Sequence, residues 1–196
     1  MYKVGLTGGI GSGKSYIARI FASKGIPIYY ADKEAKSLMY RDQRLKNKIK
    51  KLLGAQAYHK NGHLNRAFVA SRIFSNNKLL RSINNIVHPA VAKDFELWAN
   101  KQQALYVIEE SALIFEISGQ LNFDKTILVT ADVDVRTERV MRRDSISRTQ
   151  VIARMENQFK DTKKKKLADF IITNNGCEDL NAQIDNIHKQ ILKEIK

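Results

Sequence analysis

Gly8-Gly9-Ile10-Gly11-Ser12-Gly13-Lys14-Ser15 fits the spacing G-x-x-x-x-G-K-[ST] of a phosphate loop. Glycines at these places let successive backbone N–H groups curl around phosphate oxygens with no side chain in the way. Lys14 can then reach terminal phosphates, and Ser15 can ligate magnesium. A helix starting at the end of the loop adds unpaired N–H groups and the positive end of its dipole, a second cause for anion binding. The expected ligand is a polyphosphate.

Acids and arginines further along could complete a phosphoryl-transfer site. Asp32 ends the apolar run Ile26-Pro27-Ile28-Tyr29-Tyr30-Ala31, and open parallel sheets bind ligands beyond the carboxyl ends of their strands. That makes Asp32 a candidate base; it fits the N-cap of a helix over Lys33 to Tyr40 equally well. Glu109-Glu110 follow the strand-like stretch Ala104 to Ile108, the Walker B arrangement. Glu110 is the candidate to hold magnesium through water beside Ser15. Arg136, Arg139, Arg142 and Arg143 share one predicted helix, Val133 to Met141 and just beyond, so most of them must lie at the surface. The polar segment after it suggests a mobile lid whose arginines could meet a transferring phosphoryl group. His59, His63 and His88 have no Cys or His partner at metal spacing, and only His88 stands out as a site candidate.

These residues need a scaffold, and the pattern of the chain supplies one. Strand-like runs recur at residues 2–7, 26–31, 104–108, 125–130 and 169–173, separated by helical stretches, the last over Leu180 to Ile195. Between Lys33 and about Gln103 the apolar residues Leu45, Ile49, Leu52, Leu53, Phe68, Ile73, Leu79, Leu80, Ile83 and Ile86 recur at helical spacing. Gly54 to Gly62 interrupts that region, and His88-Pro89 reads as the start of a new helix, with proline in its first turn. The expected fold is α/β: a P-loop NTPase with a five-stranded parallel sheet flanked by helices. The expected division is a core of 1–32, 104–141 and 167–196, a helical substrate lobe over 33–103 and a lid over 142–166.

Composition bounds the function. The chain has 196 residues, 43% of them hydrophobic, enough for one enzyme domain with a real core. It has no signal segment at its start and no apolar run near the ~20 residues of a membrane span. A single cysteine, Cys177, permits no internal disulfide and suits a reducing compartment. The reading is a cytoplasmic protein that binds no membrane. Lys and Arg number 34 against 20 Asp and Glu, a balance suited to nucleic acid, an acidic membrane surface or small substrates with several phosphates. The excess lies in separate runs, Arg44 to Lys51, Arg136 to Arg148 and Lys160 to Lys166, with no nucleic-acid-binding signature among them. Charge alone does not choose among these partners; no nucleic-acid partner is expected, and the rivals are another small-molecule P-loop kinase, acting on a nucleotide or nucleoside, and, from a different class, a nucleic-acid-binding NTPase.

The chain resembles the dephospho-CoA kinases. The resemblance is carried by Gly5-Leu6-Thr7 with the loop, Ala31-Asp32, Gly62-His63-Leu64-Asn65-Arg66, His88-Pro89, Leu113-Ile114-Phe115-Glu116 and Ala168-Asp169 ahead of Asn174-Asn175-Gly176. It implies transfer of the ATP γ-phosphate to the ribose 3′-hydroxyl of dephospho-CoA, with Mg²⁺ accompanying ATP. By the same resemblance Asp32, Lys14 and Arg143 are catalytic. ATP is held by Gly9, Gly11, Ser12, Gly13, Lys14, Ser15 and Tyr16, with Arg139 and Arg148 at basic positions and Asn175 and Gly176 near adenine. The acceptor meets Asp32, His88 and Glu116, and a monomer is favoured. Departures from the family pattern are Tyr16 for the usual Thr, Tyr30 in the Asp-Ala-Asp block, Asn65 for Asp and Ala112 for Pro.

Overall fold

Val4 and Leu6, apolar and fully buried, draw Tyr2–Gly8 into a central strand, β1. The computed structural model describes residues 1–73, 76–117 and 119–195. Parallel to β1 run β3 (Tyr106–Glu110) on one side and β4 (Lys125–Thr130) on the other. β2 (Ile28–Tyr30) pairs with β3, and β5 (Phe170–Thr173) with β4, giving the order β2-β3-β1-β4-β5. Val107, Ile108, Ile127, Leu128 and Val129 are fully buried, as expected of parallel strands covered on both faces. β1 borders strands from both directions of winding, so its carboxyl end lies at the topological switch point where such sheets bind ligands.

Helices α1 (Lys14–Ser23), α6 (Val133–Asp144), α7 (Arg148–Glu156), α8 (Asp161–Leu167) and α9 (Leu180–Ile195) accompany this sheet. Ile17 and Phe21 of α1 and Ile184, Ile187 and Ile191 of α9 bury their apolar stripes in the sheet's main core. The unit comprises Met1–Tyr30 and Gln102–Lys196. The segment expected as a lid forms α7 and α8 and is anchored by Val151 and Lys164, both fully buried.

A second unit, Ala31–Lys101, is helical: α2 (Ala31–Arg41), α3 (Gln43–Leu53), α4 (Arg66–Ile73) and α5 (Asn77–Ala99). Asp42 caps α3, its carboxylate accepting from the amides of Arg44 and Leu45. Leu45, Ile49 and Leu53 bury one face of that helix. Asn76 caps α5 by accepting from Leu79 N.

Several sequence expectations shift. The second strand begins at Ile28, because Pro27 has no N–H for the ladder, although its carbonyl accepts from Ile108 N at 3.0 Å. The third strand covers Tyr106–Glu110, so Glu109 and Glu110 belong to it, paired with Gly5 and Leu6 of the long β1. The helix expected over Val133 to Met141 runs on to Asp144 and ends at left-handed Ser145, φ 52°. Pro89 does not open a helix but lies inside α5. An interior proline costs ~3 kcal/mol or more, yet Val87, Val91, Phe95 and Ala99 bury a continuous i+4 stripe across it. That packing overrides the break.

Candidate active site

The loop after β1 turns into α1 through Gly13 at φ 92°, which serves as N-cap with no side-chain hydrogen bond. The first turn of α1 contains no acid, so among the described residues no side chain caps this positive helix end against an anion. Gly13 also needs its missing side chain: a Cβ there would collide with Asn174 Nδ2. That amide donates to Ser12 O at 2.8 Å in a buried contact. Within the loop, Ser12 N donates to Gly9 O at 3.1 Å, and Lys14 Nζ reaches Gly9 O at 3.5 Å. Lys14 thus folds over the loop's inner rim. Ser12 is fully buried and its hydroxyl has no partner among the described residues. Tyr16 is half exposed, with the Arg19 guanidinium 5.7 Å from its ring centre.

Below the loop, Glu110 at the end of β3 is 6% exposed, and Ser15 Oγ donates to its Oε1 at 3.5 Å. A hydroxyl and a buried carboxylate at the mouth of a phosphate loop are hard oxygen donors suited to Mg²⁺, which keeps several waters and takes few protein ligands. Among the described residues no group of three or more His, Cys, Asp or Glu forms a cage for a metal.

Around the other side of the loop stand α6 and the turn after β5. Arg139 Nη1 donates to Asn174 O at 2.8 Å, and Asp132 N donates to Asn175 Oδ1 at 2.8 Å. Asn175 N and Gly176 N both donate to Glu178 Oε2, at 2.7 and 3.0 Å. Partial burial works to raise the Glu178 carboxyl, but the surrounding backbone amides hold it below the usual carboxylate range. Gly176, at φ 112°, has Arg139 Nη2 as the nearest atom to its open side. The expected residues Arg139, Asn175 and Gly176 therefore come together, joined to the phosphate loop through Asn174.

Arg143 sits in the last turn of α6, 63% exposed, with Nε 2.7 Å from Asp144 Oδ1. Hydrogen bonding to Asp144 raises the Arg143 pKa, so it is a permanent cation. Arg154 shares the same carboxylate at 2.7 Å. Arg148, at the start of α7, pairs with Asp134. Glu116 is engaged by α8: its Oε1 lies 2.8 Å from Lys164 Nζ and accepts from Phe159 N at 3.0 Å. Its Oε2 is buried without a partner among the described residues.

In the helical unit, Asp32 is the second residue of α2 and exposed. It is therefore a first-turn residue, not the N-cap of a helix from Lys33. His88 lies half-buried in α5, and burial lowers its pKa below the ordinary value 6.5.

Sequence reasoning passed over Asn174, reading it only as part of a turn, and did not separate Arg136 or Lys164 from their basic neighbours. The helical spacing of Arg136 with Val140, both buried, is the signal that could have found the arginine. Gln158, whose Oε1 accepts from Ile10 N of the loop at 2.9 Å, carried no signal.

A parallel sheet in this order, with a phosphate loop after its central strand and an acid from the neighbouring strand against the loop's serine, defines a P-loop kinase. The chain belongs to the dephospho-CoA kinase family, whose model matches residues 2–179. The dephospho-CoA kinase of Bacteroides fragilis (strain YCH46) is 33% identical over 183 residues, covering 93% of this chain and 89% of that one. A crystal structure of TT1252 from Thermus thermophilus superposes with a TM-score of 0.83 at 30% identity, covering 100% of this chain and 98% of that one. A dephospho-CoA kinase structure from Campylobacter jejuni shares the fold, with a TM-score of 0.70 at 24% identity over 99% of this chain and 98% of that one. No described helix is long and apolar enough to cross a membrane.

Proposed function

We propose that this kinase transfers the γ-phosphate of ATP to the ribose 3′-hydroxyl of dephospho-CoA, giving coenzyme A and ADP. The observation that carries the reading is the Ser15–Glu110 contact under an uncapped phosphate loop, in a chain matched to the dephospho-CoA kinase family over nearly its whole length. Backbone amides of Gly9 to Ser15 cradle the phosphates, and Lys14 meets the terminal ones. Ser15 and Glu110 would hold Mg²⁺, which would supply neutralisation of the phosphate charge. Arg139, Asn175 and Gly176 lie against the adenine.

The acceptor oxygen attacks the γ-phosphorus while the bond to the ADP oxygen breaks, and the hydroxyl proton passes to Asp32. Phosphoryl transfer asks little covalent chemistry of the protein, so Asp32 acts chiefly by orienting the hydroxyl. Arg143 leaves the Asp144 pair to meet the charge spreading over the γ-phosphoryl oxygens. The helical unit receives the acceptor, with His88 beside it. Glu116 contributes by tying α8 down through Lys164. The protein works as a monomer in the cytoplasm, the compartment that supplies ATP.

A coupled ADP-release assay with magnesium ATP, comparing dephospho-CoA with AMP, adenosine and water, tests the reading on wild type and Asp32→Asn. Turnover with dephospho-CoA alone, lost in Asp32→Asn while ATP still binds, is the expected result. Preference for another acceptor refutes the substrate assignment, and an unimpaired Asp32→Asn refutes the role of Asp32. Light scattering at assay concentration checks the monomer.

A further inference from the structure

Arg136 is the arginine of α6 that the fold encloses, at 7% exposure. A buried guanidinium is costly unless its donors are paired. Here Nη1 stands 3.5 Å from Asp161 Oδ1, a long ion pair, and Nε is buried with no partner among the described residues. Asp161 is itself divided, since its Oδ2 accepts from the Thr130 hydroxyl at 3.0 Å.

What Arg136 touches is the tip of the phosphate loop. Nη1 fills the space that a Cβ on Gly9 would occupy. The Arg136 carbonyl oxygen lies 2.5 Å from the place of a Cβ on Gly11. Between these two glycines, Ile10 N is taken by Gln158 Oε1 at 2.9 Å. Three consecutive loop residues are therefore met from outside the loop: Gly9 by the Arg136 guanidinium, Gly11 by the Arg136 backbone and Ile10 by Gln158.

We infer that Arg136 is a positioning residue for the ATP phosphates: its guanidinium, packed against Gly9, supports the phosphate-binding shape of the loop's tip and adds a second, buried cation to Lys14. A charge fixed in a water-poor site acts on an anion without reorganising when the anion arrives. The glycine at position 9 then has a cause of its own, because the arginine occupies the place of its side chain. This rests on the ATP-dependent reading above.

The test pairs calorimetric titration of a non-hydrolysable ATP analogue with separate KM values for ATP and dephospho-CoA. Arg136→Met keeps length and removes charge; Arg136→Lys keeps charge. The expected loss in Arg136→Met is about tenfold in analogue affinity and in KM for ATP, the scale of one charge-assisted contact. KM for dephospho-CoA stays within about twofold, and Arg136→Lys recovers most of the loss. Gly9→Ala should weaken ATP binding in the wild type but add little in an Arg136→Ala background, the signature of direct coupling. Wild-type affinity in Arg136→Met, an equal rise in both KM values, or a Gly9→Ala effect the same in both backgrounds overturns the inference. If Arg136→Met and Arg136→Ala do not fold, the cycle is run in the Arg136→Lys background, where the shorter side chain vacates the place of a Cβ on Gly9; a Gly9→Ala effect as large there as in the wild type overturns the inference. A wild type that fails to bind the analogue sinks the ATP reading and this inference together, whereas the other adverse results sink the inference only.

Discussion

Ser15 and Glu110, 95 positions apart in sequence, meet with the serine hydroxyl donating to Glu110 Oε1 at 3.5 Å. The meeting is built by strand register: Leu6 pairs with Glu110, and β1 runs straight into the loop that bears Ser15. If these oxygens hold Mg²⁺ as proposed, Glu110→Gln should raise the magnesium concentration needed for half-maximal turnover by roughly 10–100-fold, the usual cost of disturbing a metal's supporting residues. Magnesium titration of the steady-state rate measures this. An unchanged requirement would separate Glu110 from the metal.

Arg143 is expected to act on the transition state more than on the bound substrates. Arg143→Ala should lower kcat by roughly 10²-fold or more, with both KM values changed only a few-fold. Because Asp144 also holds Arg154 at 2.7 Å, the turn itself should persist, and the melting temperature should move little. A large rise in KM with kcat unchanged would instead make Arg143 a uniform binding residue.

Lys164 and Glu116 form an ion pair in which the lysine is fully buried and the carboxylate 11% exposed. Removing one partner leaves an uncompensated charge, so Lys164→Met should cost about 3–5 kcal/mol in urea unfolding. Adding Glu116→Leu should return much of that stability, since an apolar pair of similar volume can replace a buried ion pair. Lys165→Met, at an exposed position, is the control and should be near neutral.

His88 sets a pH dependence. Burial lowers its pKa in the fold, so the folded state binds the proton less readily than the unfolded one. Its stabilising contribution is complete above the ordinary value of 6.5 and is lost as pH falls through the lowered folded value. Thermal melts at descending pH should show a wild-type decline below pH about 6 that His88→Gln reduces. Equal declines in both proteins would place the acid sensitivity elsewhere.

Contiguous features were legible without coordinates. The phosphate loop could be read because eight neighbouring residues carry the whole signal, and β4 and α9 because their apolar periods match the observed spans. The α/β class and the membership in a P-loop kinase family followed from those runs and motifs. The strand expected over Ala104 to Ile108 shifted because β1 continues the ladder to Glu110, and Pro89 proved no boundary because packing on both sides outweighs one lost hydrogen bond.

What the sequence by itself determined was local: most of the segments that fold as strand or helix, and where the phosphate-loop pattern lies. What only the tertiary structure decided was which member of a chemically uniform run is enclosed. Glu110, already singled out from the sequence, does face Ser15, since alternate residues of a strand point to opposite faces. Lys164 rather than Lys163, Lys165 or Lys166 is buried, and Arg136 rather than Arg142 or Arg143 is enclosed beside the loop. Side-chain type is a property of the chain, whereas direction and burial depend on the register and packing of distant elements.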